Sequence, residues 1–275
     1  MTRQFLSEQI RLKRSYLCVG LDSDPAKLPV HLKHSVDAVY EFNKAIIDAT
    51  APHCVSYKIN TAFYEAWGIK GWDVMERTLH YIPSTHFKIA DAKRGDIGNT
   101  SSQYAKAFFE TLPFDAVTVT PYMGEDSIRP FLEYPGKFTI VLGLTSNAGA
   151  KDFELLRTGS ELLYEAVIRK VATWGNPDNL MFVTGATQAD QFSRIRKIAP
   201  DNFLLVPGIG AQGGSLEEVS EYGMNKDCGL LVNVSRSIIF AGSGTDYSGK
   251  AAAAAAQYQQ EMGQHIQQYL DRHDQ

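Results

Sequence analysis

The stretch FTIVLGLTS, residues 138–146, is an almost unbroken run of apolar and β-branched residues. Such a run is typical of a strand buried on both faces, because a strand with one face in water alternates apolar and polar residues. A helical pattern follows in SELLYEAVIRKVATW (160–174), and a second apolar run comes next in LMFVTGA (180–186). This order predicts two parallel strands joined by a crossover helix, which is the repeating unit of α/β folds.

The same strand–helix unit recurs along the whole chain. Six further runs of this kind predict strands at 15–22, 55–60, 86–93, 116–122, 203–209 and 229–235. Amphipathic helical patterns separate or follow them, for example at 36–51, 100–112 and 248–271. Eight such units in 275 residues favour a closed (β/α)8 TIM barrel over its main alternative, a doubly wound open sheet. No linker or break in composition interrupts the pattern, so we expect residues 1–275 to form a single domain.

The composition argues against several classes of protein. A net charge of −4 is unlike that of a nucleic-acid binder, which carries a basic stripe. The first residues, MTRQFLSEQIRLKRSYL, carry charges throughout and lack the apolar core of a signal peptide. No run approaches the roughly 20 apolar residues of a membrane span. Three widely spaced cysteines (Cys18, Cys54 and Cys228) fit a reducing compartment and form no zinc pattern, so we expect a cytoplasmic protein without a metal site.

Charged residues and glycines gather at the carboxyl ends of the predicted strands, most densely in DAKRGDIGNT (91–100). In a barrel these ends converge on one face, where active sites lie. Asp91 and Lys93 are two residues apart on a strand, so their side chains should point together into the top of the barrel. Lys58 ends the second predicted strand, and Asp96 follows in the loop after the third. The sequence therefore predicts a polar site on this face.

Two interpretations of this cluster remain open from the residues alone. Asp91 and Lys93 could form a structural ion pair at the end of a strand. Adding Lys58 and Asp96 favours catalysis, because inward-facing charges are costly unless they pair or act. Alternating charges should keep both lysines protonated. A protonated Lys93 is suited to stabilising and then protonating a carbanion, whereas Schiff-base chemistry needs a neutral amine.

The segment VPGIGAQGGSLEE (206–218) predicts a phosphate site. Its glycines let backbone N–H groups converge on an anion, and Ser215 with Glu218 has the pattern of a capping box at a helix start. Arg236 follows the eighth predicted strand, and loops after the last two strands of a barrel frequently bind phosphate. The alternative is a tight loop with a surface arginine.

Two other strand ends carry weaker signals. Asp22, in GLDSDP (20–25), is placed either to bind a ribose hydroxyl or to form a turn ahead of the following proline. In LTSNAG (144–149), Ser146 or Asn147 is placed to read the edge of a planar base, and an ordinary polar turn is the alternative.

With these residues assembled, the chain resembles the orotidine 5′-monophosphate decarboxylases, and especially their longer bacterial subgroup. The resemblance spans nearly the whole sequence, and the motifs that carry it are GLDSDP (20–25), YKIN (57–60), DAKRGDI (91–97), TPYMGEDS (120–127), TSN (145–147), PGIGAQGG (207–214) and the Ser-Arg pair at 235–236. The DxKxxDI pattern is the most specific, although related sugar-phosphate enzymes share DxKxxD.

The resemblance implies a (β/α)8 decarboxylase that converts orotidine 5′-monophosphate to UMP and CO2 in pyrimidine synthesis, without a cofactor. The catalytic tetrad that it implies is Lys58, Asp91, Lys93 and Asp96. It implies a homodimer in which Asp96 enters the partner's site, accompanied by Ile97 and Thr100. The substrate contacts that it implies are Asp22 to ribose, Ser146 (or Asn147) to the pyrimidine, Pro207 beside the base, and Gln212 and Arg236 to the phosphate.

One residue departs from the family pattern, and two rival functions stay open. Ser235 stands where other members carry a glycine before the arginine, and its side chain either crowds the phosphate or adds a hydroxyl donor. A metal-dependent sugar-phosphate decarboxylase or aldolase of the same suprafamily needs a carboxylate at the end of strand two, where Lys58 would repel a divalent cation. A non-catalytic nucleotide-binding barrel would keep the phosphate loop but has no need of the tetrad.

Overall fold

The computed structural model describes residues 1–35, 37–187, 189–210 and 213–270, and at its centre is a closed barrel of parallel strands. In chain order the strands are β1 (Leu17–Gly20), β2 (Ser56–Asn60), β3 (Phe87–Arg94), β4 (Ala116–Val119), β5 (Phe138–Leu144), β6 (Arg157–Thr158), β7 (Glu161–Leu162), β8 (Leu180–Thr184), β9 (Leu204–Pro207) and β10 (Leu230–Val234). The short pair β6 and β7 forms an antiparallel hairpin outside the barrel. The other eight pair in chain order, and β10 closes the ring on β1. The (β/α)8 prediction is confirmed and the open-sheet alternative is wrong.

Helices surround the barrel. In chain order they are α1 (Arg3–Lys13), α2 (Ala38–Thr50), α3 (Ala62–Glu65), α4 (Ile69–Tyr81), α5 (Gly98–Lys106), α6 (Glu125–Leu132), α7 (Leu163–Val171), α8 (Ala189–Ile198), α9 (Leu216–Gly223), α10 (Arg236–Ile239) and α11 (Tyr247–Tyr269). A π-helical turn, Ala107–Thr111, continues α5. Within the described parts of the chain, no helix combines the length and the apolar character needed to cross a membrane.

Burial on both faces explains why the strands have continuous apolar sequences. Every residue of β1, β4, β8 and β10 is buried. In the core the rings of Phe87 and Phe138 meet edge to face, with 5.5 Å between their centroids. Burying one such side chain contributes about 1.5–3 kcal/mol, so the strands hold the barrel mainly through their apolar side chains.

The element ends differ from the predictions where the site begins. β1 ends at Gly20 and β5 at Leu144, two residues earlier than predicted; beyond β5 the Thr145 N–H bonds to the Glu154 carboxylate and not to a strand. The helix predicted at 160–174 begins only at Leu163, since the residues before it form the hairpin. Helix α1 was not predicted, although Leu6 and Ile10, four residues apart, form its buried face. The predicted N-cap is confirmed at Ser215, whose hydroxyl accepts the Glu218 N–H at 3.2 Å.

Lys13, at the end of α1, contacts residues just before β2 and β3. Its ammonium donates to the carbonyl oxygens of Ala51 and Cys54, each at 2.8 Å, and lies 2.8 Å from Nε2 of His86, which is also 2.9 Å from the Ala51 carbonyl oxygen. Burial and the nearby charge of Lys13 lower the pKa of His86 to about 4. His86 therefore stays neutral well into the acidic range.

The free energy of unfolding should consequently fall as the pH drops from about 6.5 to about 4. In this window the unfolded chain binds a proton at His86 and the folded chain does not. This contribution to the free energy of unfolding is therefore fully present above the pKa of His86 in the unfolded chain. It is lost as the pH falls below that value, by roughly 3 kcal/mol in total. Urea unfolding of the wild type and of His86→Gln across this range measures the effect, because glutamine keeps a hydrogen-bonding side chain that does not titrate. Equal pH slopes in the two proteins would contradict the assignment.

Candidate active site

The carboxyl ends of the strands surround a cavity of about 160 Å³. Its wall comes from the ends of β1, β2 and β3 on one side and from β9, β10 and the residues after them on the other. The lining residues are Asp22, Lys58, Asn60, Asp91, Pro207, Gly208, Ile209, Asn233, Ser235, Arg236 and Ser237. Six residues predicted separately, at five different strand ends, thus share one cavity.

Two charged residues of the cavity lining, Lys58 and Asp91, form a chain with Lys93, which is not itself among the lining residues. Nζ of Lys58 donates to Oδ2 of Asp91 at 2.9 Å, and Nζ of Lys93 donates to Oδ1 of the same carboxylate at 2.6 Å. Lys58 is only 4% exposed, whereas the side chain of Lys93 is 50% exposed. We call Lys58, Asp91 and Lys93 the charged triad. The buried lysine anchors the carboxylate, and the exposed one can reach a bound molecule.

The ionisation of the triad follows from its contacts. Burial alone would lower the pKa of Lys58, but the charges of Asp22 and Asp91 outweigh it and raise that pKa above the ordinary value. Burial would likewise raise the pKa of Asp91, but Lys58 and Lys93 lower it well below its usual range. At neutral pH the site therefore holds a fixed ammonium and a fixed carboxylate.

The backbone at Lys93 takes a conformation that the strand pattern does not predict. Its φ is 47°, in the left-handed region that non-glycine residues rarely adopt. The pairing of β3 with β4 shifts register between Ala90 and Arg94 at the same point. The side chains of Asp91 and Lys93 do meet, as predicted, but across an irregular strand end. A strained backbone of this kind persists only where its surroundings hold it.

Thr118, on β4, holds this strained segment and was missed by the sequence analysis. Its buried hydroxyl accepts the backbone N–H of Lys93 at 2.9 Å and donates to Oδ1 of Asp91 at 3.1 Å. One hydroxyl therefore fixes both the backbone of the exposed lysine and the orientation of the carboxylate. The available signal was a polar residue inside an otherwise apolar run, AVTVTPY (116–122).

Arg94 anchors the other side of the same segment. Its guanidinium pairs with Glu65 of α3 and lies over the rings of Tyr104 and Phe108, 5.5 and 5.4 Å from their centroids. A guanidinium stacked on aromatic faces and paired with a carboxylate is well restrained. The loop that carries Lys93 is thus tied to helices on the outside of the barrel.

A buried network positions Asp22, whose Oδ1 lies 3.3 Å from Nζ of Lys58. The hydroxyl of Tyr64 donates to the carbonyl of Leu21, and Ser23 donates to Oδ1 of Asn43. The amide of Asn43 in turn donates to Tyr64 and to Thr78. These bonds hold the residues on both sides of Asp22, and no local sequence pattern indicated them.

Asp96 lies apart from the charged triad. Its carboxylate accepts the backbone N–H of Ile97 at 2.7 Å, and its carbonyl accepts the hydroxyl of Ser101 at 2.8 Å. Among the described residues, no hydrogen bond or ion pair joins Asp96 to the triad. Ile97 is 59% exposed, and Thr100 is exposed as well. Within one chain, the buried Lys58 is therefore paired with the carboxylates of Asp91 and Asp22, and not with that of Asp96.

The predicted base-reading residues sit in the loop after β5. This loop packs against the loop after β8, since a Cβ added to Gly185 would fall 2.6 Å from the backbone nitrogen of Ser146. Oδ1 of Asn147 accepts the Thr145 hydroxyl at 2.6 Å. Neither Ser146 nor Asn147 belongs to the lining of the cavity described above.

The predicted phosphate residues lie on the opposite wall. Pro207 ends β9, Arg236 begins α10, and both line the cavity. Ser235 lines it too, with its hydroxyl directed toward β1, because a Cβ added to Gly20 would lie 1.9 Å from that oxygen. The lack of a side chain at Gly20 thus makes room for the serine. Gln212, the other predicted phosphate ligand, lies outside the described residues.

Among the residues that the structure describes, no three His, Cys, Asp or Glu side chains are grouped so as to hold a metal ion. The two carboxylates nearest each other in the cavity, Asp22 and Asp91, are both paired with the ammonium of Lys58.

The chain is similar to known proteins over nearly its full length. It matches the model of the "Orotidine 5'-phosphate decarboxylase / HUMPS family" over residues 15–251. It is 60% identical over 269 residues to the orotidine 5′-phosphate decarboxylase of Flavobacterium johnsoniae, covering 97% of this chain and 98% of that protein. A protein of the same name from Bacteroides fragilis is 54% identical over 274 residues, covering 98% of this chain and 100% of that protein. The solved structure of Leishmania donovani OMP decarboxylase superposes with a TM-score of 0.83 at 36% identity, covering 96% of this chain and 98% of that one.

Proposed function

Because the chain belongs to the orotidine 5′-phosphate decarboxylase / HUMPS family, we propose that it releases CO2 from orotidine 5′-monophosphate and leaves UMP. The observation that carries this proposal is the charged triad, in which a carboxylate of the cavity lining joins a buried and an exposed lysine. We assign the triad and Asp96 to catalysis, and no step of the mechanism uses a cofactor.

Lys93 stabilises and protonates the carbanion in this mechanism. Loss of CO2 leaves an electron pair on C6 of the pyrimidine, and no ring position readily takes up that charge. A preorganised ammonium beside C6 stabilises the charge as it develops and then supplies the proton that replaces CO2. Its 50% exposure supports Lys93 as the donor, whereas Lys58 is enclosed and engaged with two carboxylates.

Asp91 and Lys58 hold that ammonium in place. Asp91 stays a carboxylate because its pKa is held far below the usual range, so it restrains Lys93 through a short charge-assisted hydrogen bond. Lys58 donates a hydrogen bond to the second oxygen of the Asp91 carboxylate and offsets part of its negative charge. In the complex, Asp91 would lie near the departing carboxylate of the substrate.

The remaining wall binds the rest of the substrate. Arg236 and Gln212 hold the phosphate, Pro207 lies beside the base, Asp22 binds the ribose, and Ser146 or Asn147 reads the pyrimidine edge. Ser235 is placed beside Arg236 as an added hydroxyl. The phosphate is remote from C6, so its binding energy orients the base and should raise turnover as well as affinity.

Asp96 acts in the partner's site of a homodimer, together with Ile97 and Thr100. Support comes from its separation from the triad of its own chain and from the exposed residues that follow it. Tyr122, 94% exposed, and Met123 extend this exposed surface in the loop after β4. An apolar surface beside an incomplete site is suited to contact with a second copy.

We also propose that residues 1–275 act as one decarboxylase domain in the cytoplasm. The barrel strands span most of the chain, and α1 is tied to the barrel through Lys13. The three cysteines are free and buried, which fits a reducing compartment.

Replacing Thr118 by valine should lower kcat by about ten- to a hundredfold, because a hydrogen bond to a charged group is worth about 1.5–3 kcal/mol. Valine keeps the shape of threonine but cannot hold Lys93 N–H or Asp91. Thr118→Ser retains the hydroxyl and should keep most of the activity. Steady-state kinetics and the Tm of both variants measure this; a valine variant with wild-type kcat would show that Thr118 does not position the triad.

The experiment that tests the proposed function is product analysis. Purified protein incubated with orotidine 5′-monophosphate should form UMP and CO2 in equal amounts, as followed by NMR. Orotidine, which lacks the phosphate, should react far more slowly under the same conditions. A folded, dimeric wild type that leaves orotidine 5′-monophosphate unchanged would overturn the proposal and favour a nucleotide-binding barrel or a metal-dependent relative.

A further inference from the structure

The short helix α3 begins two residues after β2, the strand that carries Lys58. Its start is fixed to β3, because the N–H of Thr61 donates to the carbonyl oxygen of Asp91 at 3.3 Å. The position of α3 is therefore set by the two strands that carry the charged triad. Its last two residues, Tyr64 and Glu65, contact two different segments of the candidate active site.

Tyr64 holds the segment that carries Asp22. Its side chain is buried, and its hydroxyl donates to the carbonyl oxygen of Leu21 at 3.0 Å while accepting from Nδ2 of Asn43 at 2.9 Å. The Leu21 carbonyl belongs to the peptide that leads into Asp22. Because a peptide is planar, holding its oxygen fixes the orientation of the whole unit. Tyr64 therefore restrains the backbone of Asp22, whose side chain lines the cavity.

Glu65 holds the segment that carries Lys93 in a similar way. Its carboxylate pairs with the guanidinium of Arg94. Nη1 of that guanidinium donates to the carbonyl oxygen of Ala92 at 3.2 Å. This carbonyl belongs to the peptide that leads into Lys93, so Glu65 restrains that peptide through Arg94. Adjacent residues of α3 thus hold the peptides immediately before Asp22 and before Lys93.

Both of these peptides need a restraint beyond that of a regular strand. Asp22 lies past the end of β1, and the backbone of Lys93 is in the left-handed region with a φ of 47°. Such a conformation persists only where its surroundings enforce it. Tyr64 and Glu65 are not among the residues that line the cavity. They can therefore influence a bound molecule only through the residues that they hold.

We propose that Tyr64 and Glu65 are positioning residues, and that α3 sets Asp22 for the ribose and Lys93 for C6 of the base. The inference rests on the proposed function, which gives Asp22 and Lys93 those roles. Because the two contacts are separate, they should govern separate steps. Loss of the Tyr64 contact should weaken binding of the sugar, and loss of the Glu65 contact should slow the reaction at C6. A helix with a structural role alone would affect stability and neither step.

Tyr64→Phe removes only the hydroxyl and tests the contact with the Asp22 segment. Its affinity for UMP, measured by calorimetry, should fall about five- to tenfold, the value of one neutral hydrogen bond, with a smaller change in kcat. One of 2′-deoxy-UMP and 3′-deoxy-UMP should bind the variant and the wild type equally, because it lacks the hydroxyl that Asp22 holds. Tyr57→Phe is the matched control, since Tyr57 is also fully buried and its hydroxyl bonds to Thr50 and to the Ile47 carbonyl, both on α2. The control should lower Tm without changing the affinity for UMP.

Glu65→Gln keeps the shape of the side chain and removes the charge that holds Arg94. It should lower kcat about tenfold and leave the affinity for UMP unchanged. Asp227→Asn is the matched control, because it breaks an ion pair with Arg3 of similar exposure. The side chains of Asp227 and Arg3 are 28% and 18% exposed, compared with 29% and 21% for Glu65 and Arg94. The control should change Tm but neither kcat nor affinity.

Three results would overturn the inference while leaving the proposed function standing. The first is a change of Tm alone in either α3 variant. The second is an equal loss of affinity for UMP and for both deoxy ligands in Tyr64→Phe, because the effect would then not pass through Asp22. The third is the same kinetic defect in both variants. A wild type that neither binds UMP nor turns over orotidine 5′-monophosphate would overturn the inference and the proposed function together.

Discussion

Replacing Lys93 by alanine is expected to lower the kcat for orotidine 5′-monophosphate by roughly four orders of magnitude or more. The variant loses both the charge that stabilises the carbanion and the proton that replaces CO2. The fold should persist, because the lysine side chain is half exposed and Asp91 keeps its bond to the buried Lys58. Single-turnover assays with saturating substrate measure the loss directly, free of product release.

Lys70→Ala is the control for that variant. Lys70 is an exposed lysine on α4 and does not line the cavity, so its loss should leave kcat unchanged. Binding of UMP to Lys93→Ala should also persist, which separates a chemical defect from a binding defect. A Lys93→Ala enzyme with more than about a tenth of wild-type kcat would remove Lys93 from the proton-transfer step.

Mixing two inactive variants should restore activity if Asp96 works in the partner's site. Lys93→Ala and Asp96→Ala homodimers should each be nearly inactive. After subunit exchange, a mixed dimer contains one complete site, built from the intact Lys93 of one chain and the intact Asp96 of the other. Random exchange should therefore give about a quarter of wild-type activity. Activity is assayed after refolding the two variants together.

A mixture of Lys93→Ala with Asp91→Ala provides the matched control. Both residues belong to the same charged triad of one chain, so every site in the mixture lacks one of them. This mixture should stay inactive. Recovery in both mixtures, or in neither, would contradict the donation of Asp96 across the dimer.

The architecture was predictable because it depends on patterns that repeat along the chain. Eight apolar runs with helical patterns between them leave few alternatives to a barrel, and all eight runs form its strands. The boundaries were less predictable. Whether Thr145 stays in a strand depends on a contact with a neighbouring loop, where the Glu154 carboxylate accepts the Thr145 N–H at 2.7 Å.

The candidate site was predictable only where the interacting residues lie close together in one segment of the sequence. The pair Asp91 and Lys93 could be read from its spacing, and their contact is confirmed. Thr118 could not be assigned in this way, because its partners come from β3, a strand distant in the sequence. The left-handed backbone at Lys93 likewise depends on β4, and nothing in DAKRGD indicates it.

The departure at Ser235 shows what three-dimensional contacts add. The sequence left open whether the serine crowds the phosphate or adds a donor. Its hydroxyl points toward the space that Gly20 leaves empty and bonds to Asn233. The extra side chain is therefore accommodated by the neighbouring strand.

Catalysis by the charged side chains alone, without a metal ion, is the central claim, and the rate of UMP formation after exhaustive dialysis against EDTA tests it most directly. We expect equal rates with and without added Mg²⁺, because the Lys58 ammonium lies between Asp22 and Asp91, the carboxylates that a divalent ion would need. A rate that disappears after dialysis and returns with Mg²⁺ would contradict the claim.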